Sequence, residues 1–462
     1  MSSANNESKK GLLIVATILL MITSLGASYS SNVILPSVLT KMEAMDYYAV
    51  YAAIASMGMM IALPLSGSLN AKFGARNVLV FAVIAQFVLR FLFGAISNII
   101  LFGVVYALAG FMGGLYMAAP YSIMASIVTP QERPKYFGYL AAASAAGALI
   151  GPLLAGFVVD NISLNMAWIC YGIFAVIPVI VFLTSYPNTK REGVSLDGLG
   201  LLLLVVFVFC MIMWLSLGGK LFAFASAIGI ILPIVAIVTL VVLIKYETKQ
   251  ANPAVPVGMF AKKRFRTTFI IQCLVVSYAT CIGAYGIVYA QQVMGFDATV
   301  SSTVTMPQTI VQFILGLFLG SFVGKAFKQR FRFFGLLAIV SYMVGLAIFY
   351  MLTPNTALFV VYLATGIGGI GQTITQSCYA AFFQTELKPE EIPSAQGMYQ
   401  FASTGGSCIF TAICGAAMNM GLSLNQVFLV GALFAAVAFV IGIFGFRFPK
   451  EEIEAEKSRS VS

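Results

Sequence analysis

Histidine is absent from this 462-residue chain, and only 9% of its residues are charged. The first absence removes the side chain that most readily moves protons near neutral pH and the commonest metal ligand. The second removes the surface that a water-soluble protein needs, where about 25% charged residues is ordinary. Seven cysteines occur (Cys170, Cys210, Cys273, Cys281, Cys378, Cys408 and Cys414), but all lie inside apolar runs without metal-ligand spacing. They read as small hydrophobes. No nucleophile with a base, metal cluster or acid pair is visible, which argues against an enzyme and implies no cofactor and no metal site.

What is present is hydrophobicity: 60% of the residues are apolar, and the mean hydropathy is +0.97. A bilayer core about 30 Å thick takes roughly 20 residues per helix. The apolar runs are long and unbroken, which fits helices and not the short alternating segments of a barrel. Runs near 11–37, 47–70, 78–97, 99–121, 136–159, 166–186, 196–217, 222–245, 267–294, 300–324, 331–352, 355–379, 394–418 and 425–447 predict an all-α membrane protein of about fourteen spans. The chain then divides into a cytoplasmic N-terminus (1–10), a six-helix bundle (11–190), two additional helices (191–246), a cytoplasmic linker (247–266), a second six-helix bundle (267–449) and a tail (450–462). That short charged tail is expected to be disordered. The first run follows Lys9 and Lys10 and is too long for a signal-peptide core, so it is expected to remain as a span.

The formal net charge is +10. Its basic residues sit in short connections on one side of the spans, from Lys9, Lys10, Lys72 and Arg76 through Arg133, Lys135, Lys190 and Arg191 to the Lys245–Arg266 connection, against Lys41 and Lys220 on the other. This asymmetry predicts a multi-pass protein of the cell (inner) membrane with both termini in the cytoplasm. The positive charge thus serves topology and not nucleic acid. The expected partners are the lipid bilayer and a small-molecule substrate, for a protein working as a monomer.

The connection after the second span reads Gly67-Ser68-Leu69-Asn70-Ala71-Lys72-Phe73-Gly74-Ala75-Arg76, which resembles the hallmark loop of the major facilitator superfamily. The fifth span carries Gly147-Ala148-Leu149-Ile150-Gly151-Pro152-Leu153-Leu154-Ala155-Gly156, similar to the glycine-proline motif of that superfamily's drug antiporters. Small residues four apart let helices approach backbone to backbone, and Pro152 removes a helical hydrogen bond. With the additional helix pair, the Glu247, Pro253, Pro256, Phe260 and Phe265 connection and the Gln291-Gln292-Val293-Met294-Gly295-Phe296 stretch, the chain resembles the fourteen-helix drug:proton antiporter branch. The resemblance implies two six-helix bundles rocking about a central site, multidrug efflux by antiport, and gating roles for Gly67, Lys72, Gly74, Arg76, Gly147, Gly151, Pro152 and Gly156.

Two departures stand out. Ala71 occupies a position that is normally aspartate in the family's loop, and Ala27 occupies the place of the branch's acid ahead of Asn32 and Pro36. The acids Glu43, Asp46, Asp160, Asp197, Glu247 and Asp297 fall in loops or at span ends, so a mid-membrane proton relay lacks its obvious carrier and proton coupling stays open.

Arg90 is the one charge deep in a predicted span, roughly 18 Å along span 3, with Gln86 one turn earlier on the same face. An embedded cation is a functional hypothesis by default, while snorkelling to the outer boundary is the competing reading. The family's third helix is usually peripheral to its cavity. On the spans that line the cavity in the family, Gln308 and Gln312, Gln372 and Gln376, and Gln396 and Gln400 are each four apart and so share a face. Tyr285, Tyr289 and Gln292 add aromatic and amide surface, and Asn32 is a further candidate. Such groups suit an amphipathic or uncharged ligand, or they join neighbouring helices. The leading expectation is a secondary transporter that exports drug-like or amphipathic compounds. The alternatives are an organic-anion exchanger or uptake carrier, motivated by Arg90, and a transport-inactive membrane sensor or lipid-handling protein.

Overall fold

The computed structural model describes residues 2–44, 47–190, 197–219, 221–250 and 253–461. Asp46, Arg191, Lys220 and the side chain of Asn32 lie outside the described residues.

Fourteen helical stretches are long and apolar enough to cross a membrane: α1 (Lys9–Lys41), α2 (Val50–Phe73), α3 (Ala75–Phe93), α4 (Ile99–Ile127), α5 (Arg133–Asn161), α6 (Leu164–Ser185), α7 (Gly198–Leu217), α8 (Ala227–Glu247), α9 (Lys263–Gln292), α10 (Val300–Gly324), α11 (Phe327–Met351), α12 (Leu358–Gln384), α13 (Pro389–Met418) and α14 (Leu424–Gly445). These are the fourteen spans expected from hydropathy. A short polar helix, α15 (Lys450–Val461), follows. No strand forms among the described residues, as expected where lipid offers no hydrogen-bond partner and each backbone must satisfy itself. The helix starts use side-chain caps. Asn98 accepts from the amides of Ile100 and Leu101 ahead of α4, and Asp197 accepts from Gly200 at 3.0 Å ahead of α7. Ser423 and Gln426 form a reciprocal capping box on α14.

The described chain forms two compact units: unit 1 comprises Met1–Ile127, Ala146–Met259 and Pro389–Thr404, and unit 2 comprises Val128–Ala145, Phe260–Lys388 and Gly405–Ser462. Helices α5 and α13 are each shared between them. In unit 1, α2 runs along α4, α1 along α6, and the additional pair is attached by α7 to α2, with α8 against α7. Glycines set these seams. A methyl built on Gly114 of α4 would come within 2.7 Å of the Met59 carbonyl oxygen, and one on Gly151 of α5 within 2.6 Å of the Gly26 carbonyl oxygen. In unit 2, α12 packs on α10 and α11, and α14 packs on α9 and α11. The first half of α5 meets α10 where Gly138 and Gly316 face each other. Two π-helical turns, Cys281–Gly286 in α9 and Thr375–Tyr379 in α12, interrupt the α-helical phase.

One expectation changes. The tail beyond Lys450 is helical and not disordered, because Glu452 bonds both Arg264, at 2.5 Å, and Lys328, at 2.9 Å, while Glu456 accepts from the Lys328 amide at 3.0 Å. Glu247 lies at a span end, as expected, as the last residue of α8. It is 2% exposed, and its Oε1 accepts from the Val255 amide at 3.1 Å, beside Asp197, which also accepts from the Tyr246 hydroxyl.

Candidate functional site

A cavity of about 260 Å³ opens inside unit 1 between α1, α2, α3, α4 and α6. Its wall combines the hydroxyls of Ser24, Ser28, Ser31, Tyr48, Ser56, Tyr106 and Tyr116 with Phe93, Trp168, Gln86 and Arg90. The rings of the wall belong to an aromatic cluster: the Phe93 and Trp168 ring centres are 4.9 Å apart, and Phe102 stacks on Tyr106 at 5.6 Å. Such ring contacts fix the wall by geometry rather than by expulsion of water, since lipid is as apolar as the side chains.

Arg90 is 6% exposed and points into this unit, so it does not snorkel. Its Nη2 donates to the Ala27 carbonyl at 3.2 Å and to the Ser31 hydroxyl at 3.5 Å. The guanidinium carbon is 5.6 Å from the centre of the Trp168 ring, within cation–π range. With its amide oriented to satisfy both neighbours, Gln86 donates to the Ala109 carbonyl at 2.6 Å and accepts from Arg90 Nε at 3.1 Å. Nη1 is buried and meets no acceptor among the described residues. Helix α3, expected to be peripheral, therefore supplies the cavity's cation.

The glutamines go elsewhere. In unit 2, Gln312 Nε2 donates to the Ala141 carbonyl at 3.1 Å, to the Ser144 hydroxyl at 2.9 Å and to Gln376 Oε1 at 3.1 Å, and Ser144 donates to Gln376 at 2.7 Å. This network joins α5, α10 and α12. Gln372 instead accepts from the Tyr342 hydroxyl of α11 at 3.1 Å. The expectation that Gln372 and Gln376 act from one face is thus corrected: Gln376 sits inside a π turn, where the four-residue spacing no longer keeps side chains in line. Gln308 Oε1 is buried without a partner among the described residues. Tyr289 is 1% exposed and donates to the Leu352 carbonyl at 2.8 Å, Tyr285 donates to the Thr411 carbonyl at 3.4 Å, and Gln292 is exposed. Gln396 is fully buried in unit 1, and Gln400 is half-buried. None of these nine side chains lines the cavity around Arg90.

The loop motif is a tight junction between α2 and α3. Gly74 takes φ +86°, which a side chain rarely adopts, and Asn188 staples the turn by accepting from the Asn77 amide at 3.3 Å and donating to the Phe73 carbonyl at 3.2 Å. Lys72 lies 5.5 Å from the Phe73 ring centre, and Arg76 donates to Asn77 at 3.5 Å. Gly67 faces Ser394 of α13, closely enough to exclude a side chain. On α5, Gly147 and Gly151 admit the backbone of α1, whereas a methyl on Gly156 would meet nothing. Pro152 lies within the same helix.

The hydroxyl lining escaped the sequence reading, although Ser24, Ser28 and Ser31 carried a signal at helical spacing on one face of α1. Trp168 carried none, being one more apolar residue in an apolar run.

Multidrug resistance protein 3 of Bacillus subtilis (strain 168) is 24% identical to this chain over 384 residues, 82% of this chain and 74% of its own. Multidrug transporter protein MdtP of the same strain is 25% identical over 429 residues, covering 91% and 77%. The crystal structure of the human organic anion transporter MFSD10 (TETRAN) has the same fold, with a TM-score of 0.68 at 11% identity, covering 94% of this chain and 99% of that one. The family description Major Facilitator Superfamily matches residues 13–411. With its fourteen apolar helices and a match across most of its length, this chain is a multi-pass membrane transporter and belongs to the Major Facilitator Superfamily.

Proposed function

We propose that the protein exports amphipathic organic compounds by alternating access, and that the Arg90 cavity of unit 1 receives them. The observation that carries this reading is the cavity's composition: a chamber within the spans whose wall is part polar and part apolar, with five aromatic rings, of the kind that holds a ligand by stacking and a few hydrogen bonds. The printed names of two relatives, both multidrug proteins, support export of this substrate type. Gly147 and Gly151 would serve the conformational cycle by letting α5 slide closely on α1. The excess of Lys and Arg on one side of the spans supports a plasma-membrane location with both termini in the cytoplasm.

Purified protein reconstituted in liposomes should drive uptake or release of fluorescent amphiphiles under an imposed pH or membrane-potential gradient. Flux that requires the protein and falls when the cavity is narrowed by Ser28→Phe is expected. Folded, monodisperse protein that moves no amphiphile of any charge under either gradient would overturn the reading.

A further inference from the structure

We infer that the cavity around Arg90 is a headgroup site for an organic anion, so that the cargo is an amphipathic compound bearing a compact oxyanion such as a carboxylate or sulfonate. This rests on the proposed transport function and adds the charge of what is carried.

Arg90 is 94% buried, since 6% of it is exposed. Guanidinium groups keep their proton in proteins, so burial leaves a full charge to be compensated, and an uncompensated buried ion is expensive. Among the described residues its partners are neutral: the Ala27 carbonyl, the Ser31 hydroxyl, the Gln86 amide and the face of the Trp168 ring. No aspartate or glutamate is among the described residues lining the cavity on either side of the guanidinium. Nη1 lacks an acceptor among the described residues and is itself covered, on a side chain that forms part of the cavity wall, so a ligand there meets it once the guanidinium turns toward the cavity. That is an unspent pair of N–H donors on a desolvated cation, the arrangement that pairs strongly with an oxyanion.

The surroundings fit the rest of such a molecule. Hydroxyls rotate to donate wherever an acceptor sits, and Ser24, Ser28 and Tyr48 ring the same space. Phe93 and Trp168 offer ring surface for an aromatic or alkyl body. An organic cation would meet Arg90 as a like charge, and a neutral ligand would leave the buried charge uncompensated.

The test uses three ligands with one body: 2-naphthoate, 2-naphthamide and 2-naphthylmethylammonium, titrated calorimetrically into the full-length protein in phosphatidylcholine nanodiscs. The expected result is naphthoate binding at least about tenfold tighter than naphthamide, with the ammonium weakest. In Arg90→Gln naphthoate affinity should fall by more than naphthamide affinity, so that the naphthoate advantage vanishes, and Arg90→Lys should retain part of it. The wild-type ranking needs no variant, so a misfolded substitution leaves the test intact. Equal affinity for all three, or preference for the ammonium, overturns the anion assignment. If any of the three still crosses proteoliposome membranes, the transport reading survives that failure. Naphthoate binding without flux of any member keeps the anion site and overturns the transport reading. Naphthoate binding that disappears when phosphatidylglycerol replaces part of the phosphatidylcholine assigns the oxyanion to a lipid headgroup and overturns the assignment to cargo.

Discussion

The Glu452 carboxylate lies 2.5 Å from the Arg264 guanidinium, tying the tail helix α15 to the start of α9. Burial alone pushes the Glu452 carboxyl up, but its hydrogen bonds to Arg264 and Lys328 and the charges of both outweigh that and hold it below the ordinary glutamate value. A value lower in the folded than in the unfolded chain stabilises fully at pH above the unfolded value, and the contribution is lost as pH falls through the folded one. The side chain is 34% exposed, so solvent screening limits the effect to about 0.5–1 kcal/mol. Glu452→Gln should therefore melt slightly earlier than wild type at pH 7, and the two should converge below pH ~4. A gap that persists in acid would mean the ion pairs are not its source.

The Gln312, Ser144 and Gln376 network predicts non-additivity. Each single change to alanine removes hydrogen bonds shared by the other two, so the Gln312→Ala/Ser144→Ala double variant should lose less than the sum of its parts. Coupling of about 0.6 kcal/mol, and up to ~1.7, is the scale seen for polar pairs between membrane helices. Strict additivity in a thermal double-mutant cycle would show that the amides do not act together.

Gly151 and Gly156 separate close packing from mere small size. Gly151→Val places its side chain against the Gly26 backbone and should cost about 1–3 kcal/mol and most of the transport. Gly156→Val enters open space and should leave both nearly unchanged. Equal behaviour of the two variants in expression, melting and flux would remove α5–α1 contact from the conformational cycle.

At the α2–α3 junction, Gly74→Ala must hold φ +86° and also crowd the Asn188 amide. A loss of about 1–2 kcal/mol is expected. Asn188→Ala alone should weaken the same turn by roughly 1 kcal/mol, the scale of a removed hydrogen-bond partner. Unchanged melting of Gly74→Ala would show that the turn relaxes freely.

The spans were legible because hydropathy records the lipid directly, and Arg90 was legible because a charge inside an apolar run has few bland explanations. The direction in which Arg90 points was not, since snorkelling and inward packing use the same residue at the same depth, and only the neighbouring Ala27 carbonyl and Trp168 ring decide. Gln372 and Gln376 looked alike on an ideal helix, but a π turn, which leaves no composition signature, sends them to different neighbours. The order of the tail was hidden too, because its partners Arg264 and Lys328 lie over a hundred positions away.

The described lining around Arg90 contains no carboxylate, imidazole or thiol. A chamber built this way has little means of its own to sense acidity between pH 5 and 8. With an anion site at Arg90 as proposed, acidity would act through the passenger: a weak acid would enter as its ion or stay in the lipid as its neutral form. The pH at which the carrier works best would follow the ionisation constant of each compound, shifting from one to the next with no change in the protein.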